Sequence, residues 1–222
     1  MMKKNNYSKA IDAIKRHGAL LAFPIKNNPK PHSLWRCLHP KTPMRWEWDD
    51  SGDSQVFELW RLREELSRSG QVVYGKFYKG RATFYSLKVF KNLLALLTVF
   101  EKRKKFKQGF ESAILTVLED SSPQSTKQIK KQCELAGRFH QKNYEQAMKN
   151  LWNELLICGW GEKDDGAFPS LQVGIVSSLF EDLYKEAQKI SPHEAFEYLW
   201  GFKSELIQIH LAKVGEEVFE PE

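Results

Sequence analysis

Three kinds of side chain in this sequence could do chemistry. The first is the set of metal ligands and proton carriers. The histidines are His17, His32, His39, His140, His193 and His210. No two stand four residues apart, so no helix face presents a His pair, and neither HExxH nor CxxC occurs. His32 and His39 flank Cys37 in a proline-rich stretch, without ligand spacing. No metal and no cofactor are expected. The second kind is a carboxylate beside stacking surfaces: Glu47 and Asp49 among Trp46 and Trp48. Such a group could stabilise charge on a sugar during base excision. Alternate residues of a strand face opposite sides, however, which turns Glu47 away from both tryptophans and makes the indoles core. P-loop, dinucleotide and nucleophile-elbow patterns do not occur in the sequence.

The third kind is a set of amides and amines at helical spacing. Asn143, Gln146, Lys149, Asn150 and Asn153 fall on one side of a helix whose other side is Tyr144, Ala147, Met148, Leu151 and Leu155. Asn and Gln can pair with the two-point edge of adenine, and Lys can reach guanine or phosphate. Just upstream, Lys127, Gln128, Lys130 and Lys131 could meet backbone phosphates. Lys76, Lys79 and Arg81 could extend the basic face from a hairpin. Each residue type also occurs on ordinary solvated helices, so the pattern matters more than any member.

The elements that would position these groups can be read from spacing. A helix is expected from Ser8 to about Arg16, with Gly18 past its end. Pro24 to Pro43 holds five prolines and should be mostly loop, pinned by Phe23, Leu34, Trp35 and Leu38. Met44 to Trp48 alternates like a strand, Asp49 to Asp53 reads as a turn, and Val56, Phe57, Trp60 and Leu66 stripe a helix ending at Gly70. Residues 71–78 and 81–85 form a hairpin around Lys79-Gly80. Ser86 caps a long helix through about Lys107.

Then come helices over 110–119 and 127–135, the latter capped by Ser125 or Thr126, and a third to about Leu155 that Asn143 caps or Lys142 begins. Strand, turn and strand follow over 156–160, 161–166 and 171–176. Three helices and then a hairpin is the order of a winged helix-turn-helix, whose third helix enters the major groove. The wing turn offers Lys163 among Glu162, Asp164 and Asp165, an acidic setting poorly suited to lie along phosphates. Two further helices are expected near 178–189 and 192–211, before a frayed acidic tail from Gly215. The fold class is thus α+β and mostly helical. An N-terminal α/β portion (1–108) with its hairpin (71–85) precedes a winged helix-turn-helix (109–177), then C-terminal helices and an acidic tail (178–222).

Composition bounds the partners. The chain has 222 residues, 34 Lys+Arg against 28 Asp+Glu, and three cysteines. Cys37, Cys133 and Cys158 cannot all pair, so a disulfide framework is not expected and a reducing, cytoplasmic setting is. Leu87 to Phe100 is interrupted by Lys88 and Lys91 and falls short of the ~20 apolar residues of a membrane span. Met1 to Tyr7 has no apolar run behind it, so no signal peptide is expected. Residues 191–222 hold seven Glu and two Lys, which concentrates positive charge on residues 1–190. The run Lys102 to Lys107 is the densest part. It is either a solvated helix end or part of a polyanion-binding face.

A family pattern lies in Lys79-Gly80-Arg81-Ala82-Thr83-Phe84-Tyr85-Ser86. It resembles the Arg-Gly-Thr-Leu-His-Leu-like segment of the AlkZ-type winged-helix DNA glycosylases, with Gly80, Arg81 and Thr83 in altered order and Tyr85 at the His-like position. Leu59-Trp60-Arg61-Leu62-Arg63 looks like the helix that precedes it, and residues 111–176 follow in compatible order. More narrowly, the chain resembles shorter AlkZ-related proteins through Pro31-His32-Ser33-Leu34-Trp35, Met44-Arg45-Trp46-Glu47-Trp48 and Gly80-Arg81-Ala82-Thr83-Phe84. The resemblance covers about residues 20–185. It implies a DNA-repair setting and double-stranded DNA as partner. The family's glycosylases use a Gln-x-Gln or Gln-x-Asp motif near the N-terminus and are longer. No such motif stands before Gln55 here, and the loop Phe23 to Pro40 carries no acid. The expected function is therefore a DNA-binding winged-helix protein allied to AlkZ-type repair. The alternatives are a divergent glycosylase acting on alkylated or crosslinked bases and a winged-helix protein-interaction module.

Overall fold

The computed structural model describes residues 4–45, 54–98, 101 and 105–218. The expected strand Met44 to Trp48 and turn Asp49 to Asp53 fall largely or wholly outside the described residues, with Glu47 and Asp49. So do Lys102, Arg103 and Lys104 of the basic run and the last residues of the acidic tail.

Helix α1 (Lys4–His17) starts ahead of Ser8, and Gly18 ends it in the left-handed region at φ 74°. Strand β1 (Ala19–Leu21) follows. The proline-rich stretch is loop apart from the short α2 (Leu34–Leu38), which Ser33 caps by accepting from the Arg36 N–H. Helix α3 (Ser54–Arg68) leads to the hairpin β2 (Val72–Tyr78) and β3 (Arg81–Ser86). Lys79 and Gly80 both have positive φ, 49° and 70°, the primed-turn geometry that suits the twist of two-residue hairpins.

Ser86 caps α4 (Leu87–Leu96) by accepting from the Val89 N–H. This helix stops eleven residues before the expected end at Lys107. Its last turn closes onto Leu97 and Thr98, and Thr98 has φ 44°, which takes the chain off the helical path.

Next come α5 (Phe110–Asp120), β4 (Gln124–Ser125), α6 (Thr126–Gln132) and α7 (Gln141–Asn153). Ser125 and Gln128 form a reciprocal capping box at the start of α6. Helix α6 ends at Gln132 rather than Leu135, because Glu134 turns left-handed at φ 56°. Asn143 lies inside the first turn of α7; His140 occupies the N-cap position without a side-chain cap bond.

Strands β5 (Ile157–Lys163) and β6 (Ser170–Ile175) form the second hairpin. Gly161, Glu162 and Lys163, expected in the turn, belong to β5. A register irregularity between Gly159 and Glu162, with Gly161 at φ 78°, absorbs them. The chain ends in α8 (Val176–Leu179), α9 (Glu181–Ala187), α10 (Pro192–Trp200) and α11 (Glu205–Val218). Four helices thus replace the two expected.

The strands form one antiparallel sheet in the order β1-β3-β2-β5-β6-β4. The join between the two hairpins is narrow, with Tyr74 opposite Gly159. A Cβ at position 159 would come within 2.3 Å of the Tyr74 ring, so the close approach of β2 and β5 needs glycine there.

Strand alternation splits the interior into two cores. Leu20, Val72, Tyr74 and Phe84 pack with α1, α2 and α3. Ala19, Leu21, Val73, Phe77 and Tyr85 face the larger core of α4, α5, α7 and the C-terminal helices. Helix α11 docks at the β1 end: Tyr85 Oη lies 3.0 Å from His210 Nε2, and Glu205 pairs with Lys30 at 3.0 Å.

Candidate nucleic-acid interface

Helix α7 buries Tyr144, Ala147, Met148, Leu151 and Trp152 and leaves Lys142, Asn143, Gln146 and Lys149 exposed. The 3.6-residue period thus places an amide-and-lysine stripe in solvent. Not every member is equally available. Gln146 donates to Asn150 Oδ1 at 2.8 Å, and Asn150 donates to Glu111 Oε1 at 2.7 Å. Asn150 is half-buried and spends its amide on α5.

The lysines of α6 divide in the same way. Lys131 is exposed. Lys130 donates to Gln141 Oε1 at 2.8 Å and lies 4.7 Å from the Tyr144 ring centroid. Gln128 is committed to the capping box. Lys127 pairs with Asp165 at 3.3 Å.

The acidic end of the β5–β6 hairpin is changed most by the fold, because two of its three carboxylates are already in use. Asp165 accepts from the Ser125 hydroxyl at 2.6 Å. Hydrogen bonds from Ser125, then Ser170, then Lys127 pull its carboxyl down to about 2. Glu162 is paired with Arg63 of α3, and Arg68 donates to its backbone carbonyl. Arg63 also donates to Tyr74 Oη at 3.0 Å and lies 4.1 Å from the Trp60 ring centroid. Gly161 N–H donates to Ser67 Oγ at 2.9 Å. Asp164 is the acid of this hairpin left exposed. The repulsion of a phosphate backbone expected from this hairpin is therefore mostly cancelled within the molecule.

The first hairpin reaches across to α7. Lys76, Lys79 and Gly80 form one bank of a cleft of about 480 Å³. Glu145 and Lys149 stand on the α7 side, and Tyr144, Met148, Trp152, Thr126 and Leu171 complete the lining. Lys76 is half-buried, and burial, then the nearby Arg63 charge, push its ammonium below the ordinary lysine range. Lys79 Nζ lies 5.3 Å from the Tyr78 ring centroid. Arg81 is exposed at the start of β3 and is not part of the cleft lining.

The structure thus brings Lys76, Lys79 and Lys149 together from positions some seventy residues apart in the sequence. It gathers Lys127, Lys130 and Lys131 on α6. Sequence spacing could not reveal the cleft, because its banks meet through long-range packing: the β2–β5 join and the contact of Phe77 on β2 with Trp152 on α7. Arg63 was also invisible as a partner of Glu162: its neighbours on α3 mark it as a coating charge.

Among the described residues, no group of three or more His, Cys, Asp or Glu side chains is arranged to hold a metal. No described helix is long and apolar enough to cross a membrane.

A family model described as AlkZ related matches residues 4–214. The match takes in every strand and extends into α11. No curated protein and no solved structure matches the chain.

Proposed function

We propose, starting from the fact that the chain belongs to the AlkZ-related family, that it is a winged-helix protein that binds duplex DNA in a repair setting. In this reading α5, β4, α6, α7, β5 and β6 are the winged helix, and residues 1–108 and 178–222 are the flanking portions. The pairing of β4 with β6 supports it, since it ties the strand between the first two helices to the hairpin.

The observation that carries the proposal is the solvent face of α7. Asn143 offers a two-point amide, Gln146 an amide shared with Asn150 and Lys149 a cation, on a helix beside the exposed Lys131 of α6. A helix of this kind reads base edges while surrounding lysines meet phosphates. Lys76, Lys79 and Arg81 extend the positive surface beyond the helix. The neutralised wing removes the main electrostatic objection.

The proposal is one of binding rather than base excision, because the loop from Phe23 to Pro40 offers neither the Gln-x-Gln motif nor a carboxylate. Duplex binding measured across a salt series tests it. The expected result is micromolar or tighter affinity at low salt that falls steeply as salt rises. Absence of binding at low salt overturns it. Release of a base from alkylated or crosslinked duplex would instead establish the glycosylase alternative.

A further inference from the structure

The cleft between the first hairpin and α7 is not explained by duplex reading alone. A helix entering a major groove uses its outer face, whereas this hollow lies beside that face, under the tip of β2 and β3. Lys76 is the informative residue. Burying an ammonium costs free energy unless an anion compensates. Among the described residues no carboxylate pairs with Lys76, and the Arg63 charge disfavours its ammonium further. Lys79 and Lys149 add two more positive charges, and Glu145 is the single carboxylate of the lining. The site therefore has a net charge of about +2, which complements a phosphate, whether the monoester of a free nucleotide at about −1.5 to −2 or the phosphodiesters of a strand at about −1 each.

The hollow is also too large and too apolar for a bare anion. Its 480 Å³ lies within the range of about 300–1,000 Å³ that holds small organic ligands. Its inner wall is Tyr144, Met148, Trp152 and Leu171. The small parts of Tyr144, Met148 and Trp152 left accessible at this wall make an apolar floor between the lysines, against which a heterocycle attached to a phosphate can rest. We propose that the cleft binds one nucleotide unit, with its phosphate on Lys76, Lys79 and Lys149 and its base against Tyr144, Met148 and Trp152. The proposal deepens the DNA-binding reading and rests on it for the expected source, an unpaired nucleotide in a strand; a free mononucleotide has the same chemistry.

The test is calorimetric titration of the full chain with deoxyadenosine monophosphate, inorganic phosphate, deoxyadenosine and a short single-stranded oligonucleotide. The monophosphate is expected to bind about tenfold or more tightly than either half alone. Lys76→Met and Lys149→Gln should each weaken it about tenfold, the scale of one charged hydrogen bond. Glu145→Gln should strengthen it. Lys131→Gln, on α6 and outside the cleft, should leave monophosphate binding intact while weakening duplex binding. Competition between monophosphate and oligonucleotide identifies the strand as source; its absence, with the monophosphate still bound, identifies the free nucleotide. Equal affinity for phosphate and monophosphate overturns the proposal. So does monophosphate binding that is absent or unchanged in both lysine variants. Cleft binding without duplex binding would reject the duplex reading alone, and duplex binding without cleft binding would reject this one alone.

Discussion

Arg63 and Glu162 meet as a buried ion pair between α3 and β5, ninety-nine residues apart in the chain. Their side chains are 8% and 11% exposed. Arg63 spends a second nitrogen on Tyr74 and lays its guanidinium against Trp60. The pair therefore connects the N-terminal core to the second hairpin beside the Tyr74–Gly159 join.

Removing one partner should leave a buried charge without compensation. Glu162→Leu and Arg63→Met are each expected to cost about 3–5 kcal/mol. Arg63→Met combined with Glu162→Leu should lose less than either single change. Urea denaturation of the four proteins checks this. A double variant as unstable as the sum of the singles would count against the pair acting as a unit.

Ser125 serves two structures at once. It caps α6 through the Gln128 N–H and donates to Asp165. Ser125→Ala is expected to cost about 1–2 kcal/mol, toward the upper end for a helix cap, because the Asp165 bond is lost too. Ser125→Asp would restore the cap but set two carboxylates together, so it should not rescue stability. Thermal and urea unfolding compare the three.

Asp165 gives the fold a defined acid sensitivity. Its folded pKa, about 2, lies below the value of about 3.9 for an unfolded aspartate. A depressed carboxyl contributes stability that is complete above the unfolded value and is lost as pH falls toward the folded one. Stability should therefore decline between about pH 5 and pH 2, and Asp165→Asn should flatten that slope. Denaturation midpoints measured across this window decide it. Parallel slopes for both proteins would show that other carboxylates set the acid limb.

The duplex reading makes a prediction about salt. If Lys131 and Lys149 each meet a phosphate, Lys131→Gln and Lys149→Gln should each reduce the slope of log affinity against log salt by about 0.9. Asn143→Ala should act differently, leaving the slope unchanged while relaxing base preference by about 1–3 kcal/mol at one position. Salt-series binding to a panel of duplexes separates the two kinds of loss.

Local signals carried much of the fold. The Ser86 cap and the Lys79-Gly80 turn came through as expected, and Ser125 is the cap of the two expected candidates, because each depends on residues within a few positions of one another. The inner face of α7 was legible for the same reason. Glu162 was not: its neighbours look like a turn, yet it pairs with Leu171 across the hairpin and is held by Arg63 and Arg68, while Ser67 holds Gly161 beside it. Strand β4 is two residues long and exists through its pairing with Gln172 and Val173, so no local pattern announces it. Of the candidate site residues, the exposed face of α7 followed from periodicity. The convergence of Lys76 and Lys149 depended on long-range packing, the β2–β5 join and the contact of Phe77 with Trp152.

That join has a mechanical consequence. Because Tyr74 seats directly on Gly159, the hairpin tip bearing Lys79 and the helix bearing Lys149 are referenced to the same frame, like jaws machined from one block. The backbone spacing of the two banks is set when the chain folds, so a ligand there would have only the exposed Lys79 and Lys149 side chains left to order. A bulkier residue at position 159 would shift that gap from a distance, without touching a single lysine.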